Sequence, residues 1–264
     1  MKLPAFEMLD LSVALSNSQW SDPPPLLPKI DYKDHAFGAG ELMGMFPGLR
    51  REDLLNGEGI GSERLNITAH NGTHMDAPWH YGATMRDGSR AMTIDELPLE
   101  WCLQPGVRLD FRAMPSGHVV RAAEIEAELA RIGHELQPLE IVLMNTAAGA
   151  MHGRQGYVDT GCGFGREATL YLLERGVRVV GTDGWSWDAP FSYTRKLFEQ
   201  NADPAIIWEG HIAGREIGYG QMEKLTNLER LPADGFWVSC FPYKIEGGSA
   251  GFTRAVALLP AHDR

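Results

Sequence analysis

Three histidines and one aspartate lie within a single stretch of eleven residues. They are His70, His74, Asp76 and His80, whereas the whole chain of 264 residues contains nine histidines. Imidazole and carboxylate side chains are competent ligands for divalent Zn, Mn, Fe or Co. The segment therefore predicts a divalent-metal site rather than a set of hydrogen-bonding loop histidines.

This segment is predicted to form a strand and a turn, although His70 and His74 have the i, i+4 spacing of a helical zinc motif. Asn71-Gly72 favours a turn, and a proline that follows disfavours a helix. We expect a strand to end at His70 and the chain to turn at the glycine. His74 and Asp76 should then point the same way with period two. A site of three ligands with an open side leaves room for a metal-bound water, whose pKa the metal lowers toward ~7.

Patterning along the chain predicts a mixed α/β fold. Alternating apolar residues indicate a strand from Arg64 and others at 8–15, 107–111, 139–144, 177–180, 236–241 and 254–259. Helical spacing indicates helices at 121–132 and 166–175, which stop at Gly133 and Gly176. Because the strands outnumber the helices and do not alternate regularly with them, at least one mixed sheet is expected.

Residues 17–61 differ from the rest of the chain. They include Pro23-Pro24-Pro25, Pro28, Pro47 and several glycines, so neither regular sheet nor a long helix is expected there. A long irregular stretch inside a fold is usually functional. We expect a cap or an oligomer arm whose apolar residues at 37–46 close a pocket of the same or a neighbouring subunit. With no internal repeat or linker, residues 1–264 are expected to form one domain.

Composition and charge exclude several classes of protein. The formal charge is −11 and no long run of Lys and Arg occurs, so a nucleic-acid partner is not expected. No run of 18 apolar residues and no apolar signal core occurs, which predicts a cytoplasmic protein without a membrane partner. Cys102, Cys162 and Cys240 are too few and too scattered for a disulfide framework.

Two other motifs are weaker. Gly247–Gly251 matches the nucleophile-elbow pattern G-x-S-x-G, but a strand-like run follows it, so a turn between two strands is expected. Cys162 precedes a helix, but nothing in the sequence would activate its thiol. The remaining histidines have no comparable company and are expected to be ordinary: His35, His118, His134, His152 and His262.

An aromatic group follows Asp183 in the sequence. Trp185, Trp187 and Phe191 fit either core packing or the lining of an aromatic or otherwise apolar substrate pocket. Trp79 would lie near the metal in either case. Asp183 itself is expected to be structural or to orient a histidine.

The pattern His-x-Gly-Thr-His-x-Asp-x-Pro-x-His, at residues 70–80, resembles the signature of the cyclase family, which includes bacterial kynurenine formamidase and isatin hydrolase. Gly181-Thr182-Asp183, Pro242-Tyr243-Lys244 and Arg254 extend the resemblance over nearly the whole chain. It implies a metal-dependent hydrolase that opens amides, cyclic imide-like rings or lactones. It also implies a swivelling β/β/α fold that usually self-associates, as a dimer or a tetramer.

The resemblance also implies a ligand set. His70, His74 and Asp76 correspond to the primary metal ligands. His80 corresponds either to a ligand of a second metal or to a base beside the bound water.

A second His and a Glu twelve residues apart supply a second metal site in formamidase-like members, and His211 and Glu223 have this spacing. Where the position of Glu223 is apolar, as in isatin-hydrolase-like members, a single Mn suffices. Glu223 therefore favours two ions, bridged by the carboxylates of Asp76 and Glu223.

The expected activity is hydrolysis of an amide, cyclic amide or lactone in a small aromatic or cyclic substrate. Metal-bound hydroxide would attack the carbonyl, and His80 or Glu223 would move the proton. Arylformamidase activity is a narrower alternative. A non-hydrolytic cyclase or dehydratase and a non-catalytic metal- or small-molecule-binding protein are the others. The substrate, the metal (Zn or Mn), the number of ions (one or two) and the oligomer stay open.

Overall fold

The fold is built on thirteen strands and six α-helices within residues 6–260, the part of the chain that this computed structural model describes. His262 lies outside the described residues. The strands are Phe6–Asp10 (β1), Lys29–Lys33 (β2), Ser62–Asn66 (β3), His74–Asp76 (β4), Leu103–Asp110 (β5), Val119–Val120 (β6), Ile141–Asn145 (β7), Gly163–Phe164 (β8), Val179–Thr182 (β9), Gly220–Glu223 (β10), Phe236–Ser239 (β11), Ala250–Phe252 (β12) and Val256–Pro260 (β13). The helices are His35–Met45 (α1), Pro78–Tyr81 (α2), Ala122–Ile132 (α3), Arg166–Glu174 (α4), Phe191–Asn201 (α5) and Glu209–Ala213 (α6).

Nine strands form one mixed sheet in the order β1-β13-β11-β5-β7-β9-β10-β4-β12. The neighbours among β5, β7, β9 and β10 run parallel, and all other neighbours in this sheet run antiparallel. Two short sheets pair β2 with β3 and β6 with β8. The expected mixed α/β fold with a mixed central sheet is therefore confirmed.

The central strand β7 separates two hydrophobic cores. All five of its residues are buried, as expected for a parallel strand that is covered on both faces. Because successive side chains alternate, Ile141 and Leu143 pack into one core and Val142 and Met144 into the other. The second core also receives α3 and α4.

Both helices predicted from apolar spacing are present. α3 ends at Gly133, which has the left-handed φ of 69° that a glycine adopts cheaply after a helix. α4 ends one residue earlier than expected, and Gly176 has a φ of 90°. The predicted strands are also present, with ends shifted by a few residues. No helix among residues 6–260 is both long and apolar enough to cross a membrane.

The Pro-rich segment 17–61 contains more regular structure than its sequence predicts. It includes β2 and the eleven-residue helix α1, so the expectation of neither sheet nor long helix was wrong. The physical reason is that the prolines lie outside residues 29–46, which leaves a proline-free run long enough for a strand and a helix. Asp34 caps α1 by accepting a hydrogen bond from the Phe37 backbone.

Gly106 provides a test of how tightly the sheet packs. A Cβ atom at this position of β5 would lie 2.4 Å from the Phe236 ring and 2.7 Å from a methyl group of Val238. We expect Gly106→Ala to lower the free energy of unfolding by about 1–3 kcal/mol, as overpacking does. Urea denaturation at one fixed protein concentration measures this change.

The matched control is Gly40→Ala in α1, where a Cβ atom would meet no atom within 4 Å. Alanine is the better helix former, so this variant should be as stable as the parent or more stable, by up to about 1 kcal/mol. Equal stabilities of the two variants would contradict the packing at β5.

Candidate metal centre

The loop from His70 to Asp76 is built largely as its sequence predicts. Gly72 has a left-handed φ of 61° that turns the chain back, and β4 follows at once. The side chains of His74 and Asp76 share one side of β4, and Met75 between them packs into the hydrophobic core. His74 and Asp76 are both fully buried.

His70 differs from its predicted position at the end of a strand. β3 ends at Asn66, and His70 stands in the turn that follows. The ladder of β3 with β2 starts at the pair Lys29 and Asn66, and Pro28 before it has no N–H to extend the ladder. Asn71 then holds the turn by accepting a hydrogen bond from the Thr68 backbone.

The structure brings all six predicted ligand residues into one cluster around Asp76. Asp76 Oδ1 lies 2.9 Å from His70 Nδ1 and 3.3 Å from His74 Nε2. Asp76 Oδ2 lies 3.9 Å from His80 Nε2 and 3.8 Å from His211 Nε2.

Glu223 closes the far side of this cluster. Its carboxylate oxygens lie 3.6 Å from His74 Nε2 and 3.6 Å from His211 Nε2. Two groups have ligand atoms close enough to share one ion, and both include Asp76: His70 with His80, and His74 with Glu223. This pairing divides the histidines differently from the family-based expectation, which grouped His70 with His74. The ligand roles of the six residues stay predictions.

Three of the histidines are oriented by contacts on the ring nitrogen that faces away from Asp76 or Glu223. His74 Nδ1 donates to the Gly72 carbonyl at 2.9 Å, and His70 Nε2 contacts the Ser249 hydroxyl at 3.1 Å. His211 Nδ1 contacts an oxygen of Asp188 at 2.5 Å. Such contacts fix the ring and leave the other nitrogen free for a metal.

Asp188, not Asp183, is therefore the aspartate that orients a histidine. Asp183 is buried and its carboxylate accepts hydrogen bonds from Asn145 and Thr146, which join the ends of β7 and β9. Burial raises the pKa of Asp183 to about 7. Of the two expected roles, the structural one matches these contacts.

Burial and neighbouring charges shift the pKa values of the cluster in opposite directions. Burial opposes ionisation of Asp76, but the surrounding imidazoles, His74 first, hold its pKa well below the usual range. Burial and the negative charge of Asp76 raise the pKa of Glu223. Burial lowers the pKa of His80 to about 4, so its ring is neutral near pH 7. Burial also opposes protonation of His211, but Asp188 outweighs it and raises the pKa to about 9.

Gln221 belongs to the cluster, and the sequence analysis missed it. Its amide nitrogen lies 2.8 Å from Glu223 Oε1 and 3.0 Å from His211 Nε2, and Tyr219 donates to its amide oxygen at 2.7 Å. The two ends of an amide are assigned from their neighbours, so a flip would present the oxygen as a further ligand. Side chains two residues apart in a strand share a face, so Gln221 would have been grouped with Glu223 if residues 220–223 had been predicted as a strand.

One of the predicted aromatic side chains is buried in the core, and the others remain partly exposed. Trp187 is fully buried and its indole donates to Thr169, so it packs in the core, and only its backbone N–H reaches Glu223. Trp185 and Phe191 pack edge to face with ring centroids 5.8 Å apart, and both remain half-buried. Trp79 is 37% exposed, beside His80 in α2.

The two weaker motifs have no nucleophilic role in this structure. β12 follows Ser249 directly, so Gly247–Gly251 is the expected turn before a strand. Ser249 nevertheless reaches the cluster, through His70, which no local pattern indicated. Cys162 is buried, and burial raises the pKa of its thiol to about 12, which leaves it unreactive.

A buried ion pair ties the Pro-rich segment to this site. Lys224 Nζ contacts a carboxylate oxygen of Asp22 and donates to the His70 carbonyl at 2.8 Å. Asp22 also accepts hydrogen bonds from the Trp185 indole at 2.9 Å and from the Asn71 amide at 3.1 Å. Both charged side chains are at most 3% exposed. The pair thus links residue 22 to the turn that carries His70 and to the indole of Trp185.

The donor set fits a divalent metal. His74 Nε2 is buried without a hydrogen-bond partner, and buried Asp76 Oδ1 makes no hydrogen bond of good geometry, although it lies 2.9 Å from His70 Nδ1. Unsatisfied buried polar atoms are costly and call for an explanation. Imidazole nitrogens with carboxylate oxygens are the ligands that Zn or Mn prefers. A bound cation would satisfy both atoms and offset the charge of the two carboxylates.

The mixed sheet and the histidine–carboxylate cluster define an α/β protein with a candidate metal centre. Residues 9–189 match the family described as "Putative cyclase", so the chain belongs to the cyclase family. It is 29% identical over 208 residues to a kynurenine formamidase from Salinibacter ruber, which covers 78% of this chain and 83% of the relative. It is also 29% identical over 209 residues to an isatin hydrolase from Roseibium aggregatum, which covers 72% of each.

A solved isatin hydrolase with a bound product analogue, thioisatinate, has the same fold. The TM-score is 0.73 at 23% identity, over 97% of this chain and 93% of that one. This similarity covers nearly the whole length of the chain and confirms the expected fold class.

The Asp22–Lys224 pair yields a prediction for stability. Asp22→Asn or Lys224→Met alone leaves a buried charge without its partner, so each should lower the free energy of unfolding by about 3–5 kcal/mol. The double variant Asp22→Asn/Lys224→Met removes both charges and should lose much less than the sum. Urea denaturation of the three variants, with metal present throughout, measures this coupling.

An exposed ion pair serves as the control. Asp53→Asn breaks the pair of Asp53 with Arg50 on the surface and should change the stability little. Additive losses in the double variant would mean that Asp22 and Lys224 do not depend on one another.

Proposed function

We propose that this protein is a metal-dependent hydrolase that opens an amide, cyclic amide or lactone bond in a small, aromatic substrate. The observation that carries the proposal is the convergence of four imidazoles and two carboxylates on one buried centre, where His74 Nε2 has no hydrogen-bond partner. Membership of the cyclase family supports it, as do the names of the relatives, a kynurenine formamidase and an isatin hydrolase.

The chemistry of the metal, when bound, is to polarise a carbonyl and to lower the pKa of water toward ~7. His70, Asp76 and His80 would hold one ion, and His74, Asp76 and Glu223 would hold a second, with His211 beside Glu223. Where His80 holds no ion, it is suited to move a proton, because its ring is neutral near pH 7 and its Nε2 reaches the edge of the cluster. Glu223, whose pKa is raised, is the other candidate for that role.

Two ions per chain are favoured over one. Each of the two candidate ligand groups has three members, and they share only Asp76, so five side chains could serve two ions. In sites with two ions, these lie about 3.5–4 Å apart and act on the attacking and the leaving oxygen together. If a single ion binds, His80 returns to the role of a base.

Arylformamide hydrolysis is the narrower form of the proposal, and opening of a cyclic amide is its counterpart. The two named relatives are equally similar to this chain, at 29% identity each, so they do not separate these activities. A formyl anilide and isatin, supplied to the same preparation, would do so. A cytoplasmic location is also proposed, since Cys102, Cys162 and Cys240 are free thiols, as in a reducing compartment.

Metal removal and replacement of His74 test the proposal. Protein stripped of metal should lose its hydrolase activity and regain it with Zn or Mn. His74→Ala should lose at least about 100-fold in metal affinity and in turnover, because a ligand contributes no less than its supporting residues do. Elemental analysis should find about two ions per chain in the parent protein.

His118→Ala is the matched control, because His118 contacts Glu124 away from the cluster. Glu223→Gln should reduce the metal content from two ions to one. Hydrolysis that continues unchanged after metal removal, or in His74→Ala, would overturn the proposed function.

We also propose that the Pro-rich segment is an arm through which two copies of this chain associate. Seven apolar side chains in and beside it, here called the arm patch, are between 48% and 86% exposed: Tyr32, Phe37, Met45, Phe46, Leu55, Ile60 and Leu65. Large apolar side chains carry roughly 150–250 Å² each, so together they expose on the order of 800 Å². One partner of a standard interface buries about 800 Å².

Association through the arm patch can be measured by light scattering. The parent protein should have at least twice the mass of one chain, and Leu55→Glu combined with Met45→Glu should shift it toward one chain. Leu99→Glu is the control, because Leu99 is 70% exposed outside the arm and should not change the mass. A parent protein with the mass of one chain would refute the arm as an interface.

A further inference from the structure

Trp208 has a backbone conformation that a bulky residue rarely adopts. It stands directly before α6 with φ 54° and ψ 37°, in the left-handed region. In this region the Cβ atom crowds the following carbonyl, which is why glycine and asparagine are the usual occupants. Strain of this kind persists only where the surrounding structure enforces it, and it gathers at functional sites.

The surroundings of α6 explain how the strain is maintained. Asp188 accepts hydrogen bonds from the backbone N–H groups of Gly210 and His211, at 2.8 and 3.2 Å. Gly210 packs so closely that a Cβ atom would lie 2.3 Å from the Phe164 carbonyl. The Trp208 carbonyl accepts from Ile212 at 2.8 Å and so begins the helix. These contacts fix the first turn of α6 and so fix the positions of Trp208 and His211 relative to each other.

The indole of Trp208 lies across the histidines of the candidate metal centre. Its ring is nearly parallel to that of His211, at 22° and 5.3 Å between centroids. The centroids of the His80 and Phe191 rings lie 5.8 and 5.9 Å from that of the indole. Trp208 is thus the first ring of a row that continues through Phe191 to Trp185.

The exposed side of the cluster is the side on which Trp208 stands. The side chains of His70 and His80 are 29% and 21% exposed, whereas the other four ligand candidates are at most 8% exposed. A substrate therefore reaches the cluster past His70 and His80. Trp208, which is 36% exposed, flanks His80 on this path.

We propose that Trp208 is a specificity-determining residue, which selects substrates with a planar aromatic group next to the carbonyl that is attacked. The inference rests on the proposed function in one respect, that the substrate's polar group is held at the histidine cluster. A flat ring can stack on the indole face or meet it edge on, and a puckered aliphatic ring of the same size cannot use these geometries. Phe191, on which the indole packs, also lines a cavity of about 240 Å³ together with Phe198 and Ile207.

Binding of two matched acids to the metal-loaded protein tests the inference without turnover. Benzoate and cyclohexanecarboxylate have the same carboxylate and similar size, but only benzoate is planar. By calorimetry the parent protein should bind benzoate roughly three- to tenfold more tightly, which is the usual value of an aromatic pair. Trp208→Ala should reduce this preference to less than about twofold, and Trp208→Phe should retain most of it.

Trp237→Ala is the control, because Trp237 is 45% exposed on β11 and has no contact with the cluster's rings in the described chain. It should leave both affinities unchanged. Equal affinities for the two acids in the parent protein, failure to bind either acid, or a Trp208→Ala variant that keeps the preference would each overturn the inference.

Two variants that lack the indole ring test whether the backbone at position 208 is strained. Trp208→Gly should melt at a higher temperature than Trp208→Ala, because glycine adopts the left-handed conformation without strain. Equal melting temperatures would contradict a strained anchor at this position. A protein that prefers benzoate but hydrolyses no amide or lactone would refute the proposed function and support the role of Trp208. Hydrolysis without that preference would do the reverse.

Discussion

Asp76 is a carboxylate with no exposed surface, and four imidazoles and a second carboxylate surround it. A buried charge is costly unless partners compensate it, and two carboxylates that share one buried centre cannot both ionise cheaply. The opposite pKa shifts of Asp76 and Glu223 express this conflict. A divalent cation would resolve it, because it would favour the ionised form of both groups and take the lone pair of His74 Nε2, which has no other partner.

The sheet brings these groups together through the pairing of β4 with β10. His74 lies opposite Glu223, and Asp76 lies opposite Gln221. Directly opposite residues have Cβ atoms about 4.5–5.5 Å apart, so the register alone places four polar side chains on one face. Met75 and Met222, between them, pack into the core on the other face. A slip of one residue would exchange the two faces and bury methionine where the ligands now lie.

The parts of the site that could be predicted from the sequence are those whose residues lie close together along the chain. His70, His74, Asp76 and His80 lie within eleven consecutive residues of a turn, β4 and α2, so their spacing alone predicted that they would come together. α3 and α4 were predictable for a similar reason, since apolar spacing and a terminal glycine are local signals. His211 and Glu223 were identified only through the family resemblance.

The remaining parts depend on contacts that no local pattern contains. Asp188 and His211 are 23 residues apart, and His70 and Ser249 are 179 apart. The left-handed backbone of Trp208 also has no signal in Ile207-Trp208-Glu209, where glycine and asparagine are absent. The prediction for residues 29–46 failed for a different reason. The prolines on both sides of this run obscured a proline-free strand and helix.

The Asp22–Lys224 pair gives the Pro-rich segment a structural connection to the chemistry. Asp22 holds the Trp185 indole and the Asn71 amide, while Lys224 donates to the carbonyl of His70. Each of these groups is at least partly buried, so losing one partner leaves the others without water to replace it. A displacement of residue 22 would therefore disturb the Trp185 indole and the turn that carries His70 at the same time. Lys224 directly follows Glu223 in the chain, so the strand that supplies a candidate ligand also supplies the anchor for this segment. The position of the Trp185 indole and the positions of the candidate ligands are in this way coupled through one buried ion pair.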